Sequence, residues 1–249
     1  MNQKGPLWPK PARQKVGMAR ALSKLGFCSR SQAWALIQAG RVRINGVVRR
    51  DPEWRVDLER DRFEVDEQKV KESVRLYLAL NKPRGLVTTA SDEQGRETVF
   101  ACLAGHGLPF VAPVGRLDKA SEGLLLLTND SAWAARITSP ESRIEKIYHV
   151  QVECLADESL VRRMLDGVTE DGDCLAAKRA SILRQGTRNS WLEIVLEEGK
   201  NRHIRRMLEA LGVGVLRLMR VAVGPLKLGS LQKGQFRRLT AEEVKALGI

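Results

Sequence analysis

The chain has no run of 18 apolar residues, which excludes a conventional membrane-spanning helix. It also lacks a CxxC pair. Cys28, Cys102, Cys154 and Cys174 are scattered, and with the isolated His106, His149 and His203 they make no zinc pattern. Thiols placed this way fit buried or idle side chains in a reducing cytoplasm. Neither a Walker A sequence nor a GxGxxG fingerprint occurs. Gly199-Lys200 lacks the upstream glycine at phosphate-loop spacing and runs into Asn201. Met1 to Lys15 is basic and proline-containing but has no apolar core of the signal-peptide kind.

What the chain does have is positive charge. Its 249 residues carry 42 Lys+Arg against 30 Asp+Glu, a formal net charge of +12. That balance favours a polyanionic partner. Anionic lipid is the alternative, weakened by the lack of a basic amphipathic helix of useful length. With 43% hydrophobic residues the chain can bury one sizeable core and a small second one. The charge is uneven. Residues 1–15 hold four basic side chains and no acids, and residues 16–56 hold eight basic against two acidic. Residues 57–75 tip slightly acidic, and the long remainder is nearly balanced. A small basic module joined to a larger body is the expectation.

In the front segment Met18, Leu22 and Leu25 repeat at helical spacing before Gly26. Ser29 with Gln32 reads as a capping box for a second helix carrying Ala33, Trp34 and Ile37, closed by Gly40. Arg41 to Ile44 alternates basic and apolar, Asn45-Gly46 signals a hairpin, and Val47-Val48 begins the return strand. Two helices leading into a hairpin leave Arg20, Lys24, Arg30, Arg41, Arg43, Arg49 and Arg50 for the surface. These suit phosphate contacts, which position RNA without reading its sequence; an ordinary solvated basic face is the bland alternative. The runs Ala21 to Arg30 and Ala39 to Gly46 resemble the S-four-type RNA-binding domain, which grips folded RNA. The domain is expected at 16–70, preceded by a flexible basic tail at 1–15 that adds nonspecific phosphate affinity. Residues 57–75, charged and without a clear apolar period, read as its end and a linker.

Further on, Leu76 to Leu80 reads as a buried strand, ended by a Lys82-Pro83-Arg84-Gly85 turn. Pro113 to Asp118 leads through Ser121-Glu122-Gly123 into the strand Leu124 to Thr128. A carboxylate in a loop before a buried strand is held as catalysis requires, yet by spacing alone the favoured reading is that Asp118 caps its turn through the hydroxyl or amide of Ser121. In the alternating run Lys146 to Val152, Tyr148 shares a face with Val150 and Val152, as core or as a pocket wall. Ile204, Met207, Leu208 and Leu211 form a helical stripe closed by Gly212. Arg206 points opposite that stripe, into solvent, whereas Arg205 flanks it and is the better partner for a buried acid.

Lys82 to Gly85, Gly115 to Asp130, Lys146-Ile147-Tyr148 and Glu198 to Met207 together resemble the RsuA/RluB-type branch of the pseudouridine synthases, over essentially all of Val16 to Gly248. The resemblance implies an α+β fold whose larger domain, at 76–246, is mixed but mainly antiparallel sheet. Strands are expected at 76–80, 124–128, 148–154, 191–196, 215–223 and 235–239, and a Thr240 capping box should start a terminal helix. It implies Asp118 as the catalytic carboxylate, Tyr148 as the active-site tyrosine and Arg205 as the active-site basic residue. Lys82, Arg84 and Arg116 join the front-domain residues as RNA contacts. Where His203 stands, glutamine is commoner in the family, so no role is carried to it. The implied reaction isomerises a uridine of ribosomal RNA, large-subunit in preference to small-subunit. It needs no metal or cofactor, and a cytoplasmic monomer is expected. A non-catalytic ribosome-assembly factor is the rival; loss of Asp118 or Arg205 would favour it, and both are present.

Overall fold

The computed structural model describes residues 15–71, 73–90, 92 and 94–248, and the chain divides into two units after Val74. The basic tail read at 1–15 lies, apart from Lys15, outside the described residues.

In the first unit, α1 (Met18–Lys24) and α2 (Arg30–Gln38) pack together. The capping box forms, with the Gln32 amide 3.1 Å from Ser29 Oγ and the Ser29 amide 3.0 Å from Gln32 Oε1. Asn45 and Gly46 both have positive φ (52° and 82°), the geometry of a tight hairpin turn, between β2 (Val42–Ile44) and β3 (Val47–Val48). A short pairing of β1 (Val16–Gly17) with β4 (Arg55–Val56) closes the unit's beginning.

The slightly acidic stretch that read as domain end and linker is more structured than its charge suggested. Phe63–Val65 (β5) pairs with both β2 and β6 (Gln68–Lys69), in the order β3-β2-β5-β6. Phe63 and Val65 are buried beside Val42, Ile44, Leu22 and Ile37. Only two apolar residues serve this strand, too few to show a period among the charges around them.

The second unit is built on a nine-stranded sheet. Its members are β7 (Tyr77–Lys82), β8 (Ala112–Val114), β9 (Glu122–Thr128), β10 (Lys146–Val152), β13 (Arg179–Gln185), β14 (Ser190–Leu196), β15 (Val215–Val223), β16 (Leu226–Lys227) and β17 (Phe236–Arg238). The main order is β13-β14-β10-β15-β9-β7-β17, with β8 on β9 and β16 on β15. Every pairing is antiparallel except β15 with β9.

That parallel contact joins the two halves of the sheet, and one residue permits it. A Cβ on Gly123 (φ +101°) would sit 2.3 Å from the Arg220 carbonyl oxygen. Only glycine tolerates both the dihedral and the approach.

Strand β9 is buried throughout, which explains its unbroken leucines. Leu125 and Leu127 pack with Leu78 and Leu80 on one face. Leu124 and Leu126 meet Trp133 and Ile137 of α3 (Ser131–Thr138) on the other. In the other half α4 (Glu158–Asp166) and α5 (His203–Ala210) cover Val150, Val152, Leu192 and Ile194. A separate hairpin, β11 (Val168–Glu170) with β12 (Asp173–Leu175), lies against α5. The chain ends in α6 (Ala241–Leu247), started by the Thr240 capping box. Among the described residues no helix is long and apolar enough to cross a membrane.

Candidate active site

Asp118 sits between β8 and β9, in a loop held by three attachments. Lys82, at the end of β7, is fully buried, and its Nζ donates to the carbonyls of Ser121 (2.7 Å), Asp118 (3.1 Å) and Pro83 (3.2 Å). The Gly85 amide donates to the Lys119 carbonyl at 2.8 Å. The Thr88 hydroxyl lies 2.7 Å from the Leu117 carbonyl and donates to it.

Lys82 is therefore no RNA contact, contrary to its reading as a surface turn residue. The strand runs two residues past Leu80 and carries the ammonium inside. Burial lowers its pKa to about 8, with the Asp118 charge partly opposing the shift.

The backbone itself closes the Asp118 turn, the Ser121 amide donating to the Asp118 carbonyl at 3.0 Å. Ser121 Oγ is buried without a hydrogen-bond partner, so the side-chain cap does not form. Among the described residues the Asp118 carboxylate takes part in no hydrogen bond or ion pair. It lines a cleft of about 200 Å³ together with Tyr148, Lys146, His203, Leu218 and Arg220.

Tyr148 on β10 is half-buried, packing against the cluster around Val150 and the cluster around Leu125, and faces this cleft. Arg205 comes from α5, but its Nη2 donates to the Ala120 carbonyl (3.2 Å) and makes no direct ion pair with Asp118. Burial lowers the Arg205 pKa, while the Asp118 charge pulls the other way. The expected pair thus acts through space, with the guanidinium anchored two residues further along the loop. Arg206 does not point into solvent. It binds Glu170 (2.6 Å) and Asp173 (2.8 Å), fastening α5 to the β11–β12 hairpin.

Of the RNA candidates, Arg84 and Arg116 are exposed, and Arg116 stands at the rim of the cleft. In the first unit Arg20, Arg30, Arg41 and Arg43 are exposed and Lys24 is half-buried. Arg41 is already engaged by Asp66. Arg50 donates to the Gln38 carbonyl, and Arg49 lies 4.2 Å from the centre of the Trp54 ring.

Sequence reasoning passed over Arg220, Lys146, Glu122 and Arg202. Arg220 is 6% exposed, and its Nε donates to the Leu124 carbonyl at 2.8 Å. Its signal was parity, since Arg220 shares a strand face with buried Leu218. Lys146 Nζ donates to the Glu197 carbonyl at 3.0 Å, and burial lowers its pKa. Glu122, 3% exposed, is flanked by Arg217 and Lys233, each at 2.7 Å. Burial disfavours its charge, yet those hydrogen bonds hold the carboxyl below its usual range. His203 is buried in the cleft wall, and burial lowers its pKa. Among the described residues no group of acidic, histidine and cysteine side chains could hold a metal ion.

Known proteins resemble the chain on both sides of Val74. Residues 76–210 match the family described as RNA pseudouridylate synthase, and residues 19–63 match the S4 domain. A Rickettsia typhi protein named as an uncharacterized RNA pseudouridine synthase is 38% identical, over 92% of this chain and 94% of its own. The ribosomal large subunit pseudouridine synthase B of Bacillus subtilis is 35% identical, over 93% and 92%. A solved structure described as a pseudouridylate synthase superposes with a TM-score of 0.63 at 30% identity, covering 93% of this chain and 99% of its own.

Proposed function

The chain belongs to the RNA pseudouridylate synthase family, and from that premise we propose that it isomerises one uridine of large-subunit (23S) ribosomal RNA, with Asp118 as the catalytic carboxylate. The name of the Bacillus subtilis relative supports the choice of subunit. We place the enzyme in the cytoplasm as a monomer. The observation that carries the reading is a carboxylate without hydrogen bonds among the described residues, facing a cleft with a tyrosine wall on a loop clamped by a buried ammonium.

The reaction conserves every atom. The C1′–N1 bond breaks, the uracil turns, C5 bonds to C1′, and the C5 proton is lost while N1 gains one. No hydride, phosphate donor or electron carrier is needed.

The target base must first leave its stack, at a cost of a few kcal/mol. Tyr148 and the apolar wall around Leu218 then receive it, replacing the lost stacking with an aromatic face. Asp118 acts at the ribose, as nucleophile or as the base that starts elimination. Because no donor among the described residues occupies its oxygens, the carboxylate is free to meet the sugar. Arg205 supplies a fixed positive charge at the Asp118 loop, held there by its bond to the Ala120 carbonyl. Tyr148 is also placed to assist proton removal at C5.

Asp118→Asn keeps the side-chain volume and removes the charge. The variant should bind ribosomal RNA like the parent and form no pseudouridine, a rate loss of at least about 10³-fold. Pseudouridine mapping of both ribosomal RNAs, from cells with and without the chain, identifies the uridine. Conversion by the variant at the parent's rate would refute the assignment.

A further inference from the structure

A second depression, of about 460 Å³, opens on the other side of Asp118. It shares Arg116, Leu117, Asp118 and Arg202 with the catalytic cleft, so the two meet at the candidate catalytic residue. Their linings differ in kind. The inner cleft is walled by Leu126, Ile137, Leu218 and Val223 besides Tyr148, a surface for a flat base. The outer groove is polar, with Arg116, Lys119, Asn201 and Arg202. Arg96 also lines it but is committed to Asp92 at 2.6 Å. Among the described residues the side chains of Arg116, Lys119 and Arg202 have no ion-pair or hydrogen-bond partner.

Arg202 is distinctive in two further respects. Its backbone is left-handed (φ 48°, ψ 30°), a conformation costly for a residue with a long side chain. Its charge also bears on Arg205, as does that of Arg84, so this rim concentrates positive charge beside Asp118, the groove's other carboxylate, Asp92, being held by Arg96. Like charges gathered without counter-ions are stabilised when an anion joins them.

A strand that sends one base into the inner cleft must leave its neighbour at the mouth, where the shared residues stand. We propose that the outer groove seats the nucleotide adjoining the target uridine, with the phosphate between the two held by Arg202 and Arg116. Lys119 and Asn201 face the neighbour's sugar and base edge. Arg202 is then a positioning residue that registers the strand so that the correct base enters. This rests on the RNA-modifying reading of Asp118 and deepens it.

The test uses the full chain and a short RNA containing the mapped uridine. The linkage on one or the other side of that uridine is made as an uncharged methylphosphonate. For the parent protein, neutralising one of the two linkages should raise KM about tenfold while kcat at saturating RNA stays within about twofold. Arg202→Asn, which suits the left-handed backbone, should raise KM on unmodified RNA by a similar factor and gain no further penalty from the methylphosphonate. Arg202→Lys should recover part of the loss. Retained kcat shows that the variants are folded.

The proposal is overturned if neither neutral linkage affects the parent, or if the variant and methylphosphonate penalties simply multiply. A fall in kcat at unchanged KM would also overturn it. If the parent itself converts no RNA, the enzymatic reading fails and takes this one with it, an outcome distinct from the other three.

Discussion

The two units are both rich in basic residues but use them differently. In the first, Arg20, Arg30 and Arg43 are exposed and, among the described residues, make no ion pair. In the second, Lys82, Arg205 and Arg220 around the active site are buried or half-buried and donate to main-chain carbonyls: Lys82 to three, Arg205 to Ala120, Arg220 to Leu124. An exposed guanidinium remains available to a phosphate. A buried one is a structural donor that fixes where a loop runs, and its charge sets the field around an acid. Formal charge counts the two alike, so the +12 of the chain overstates what is free to meet RNA.

Breaking the buried set should have the largest effect. Lys82→Met preserves the aliphatic stem and strips the donor from three carbonyls. We expect a stability loss of about 3 kcal/mol and, with the Asp118 loop displaced, a fall in kcat of about 10²-fold. Urea unfolding and single-turnover conversion measure the two.

The deficit should also depend on pH. Burial depresses the folded-state pKa of Lys82 to about 8 from 10.5. Between those values the unfolded chain holds a proton that the folded chain has released, so stability rises with pH across the window. Below pH 8 both states are protonated and that gain is absent. The gap between parent and Lys82→Met should therefore widen from pH 8 to 10.5. A constant gap would mean that Lys82 is not desolvated as described.

Neighbours on one helix sharpen the comparison at a smaller scale. Arg205 faces the loop of Asp118, whereas Arg206 clamps the β11–β12 hairpin through Glu170 and Asp173. Arg205→Ala should lower kcat by about 10²-fold, the order expected for removing a preorganised charge, with little change in urea midpoint. Arg206→Ala should do the opposite, costing about 1–2 kcal/mol and leaving kcat within about threefold. Equal effects of the two variants on both quantities would erase the distinction.

Why the sequence separated some of these residues and merged others follows from the range of each signal. Capping boxes at Ser29 and Thr240 and the Asn45-Gly46 turn are local chemistry, and they stand where read. The run Leu124 to Leu127 read as a buried strand, and the strand is buried on both faces. Strand β13 went unread because it lies at the sheet edge, where its residues are at most half-buried and alternate weakly. Lys82 was placed on the surface because Pro83-Arg84-Gly85 punctuates the chain, and a strand end later by two residues turns rim into interior. A helical wheel set Arg206 opposite the apolar stripe but could not show what lay there, since a hairpin 33 to 36 residues upstream supplies its partners. Arg205 was legible as a flank residue, yet its anchor on Ala120 depends on a loop path that no period encodes.

The smallest expected effects belong to the exposed set, where salt dependence is the sensitive readout. Each side chain that neutralises a phosphate contributes about 0.7–0.9 to the slope of log K against log salt concentration. Arg43 and Arg41 lie two residues apart on the same side of the hairpin, and they differ in one respect. Arg43 has no ion-pair partner among the described residues, whereas Arg41 Nε already sits 2.8 Å from Asp66 Oδ1. The Asp66 carboxyl is held below its usual range by that bond. To meet a phosphate, Arg41 must share or surrender a carboxylate that repels the incoming RNA, which cancels most of the counter-ion release. Arg43→Ala should therefore flatten the slope by close to one phosphate equivalent, and Arg41→Ala by clearly less. Asp66→Asn should make Arg41 behave like Arg43. If both arginine variants flatten the slope equally with Asp66 intact, exposure alone governs RNA contact, and an existing ion pair does not distinguish one surface arginine from another.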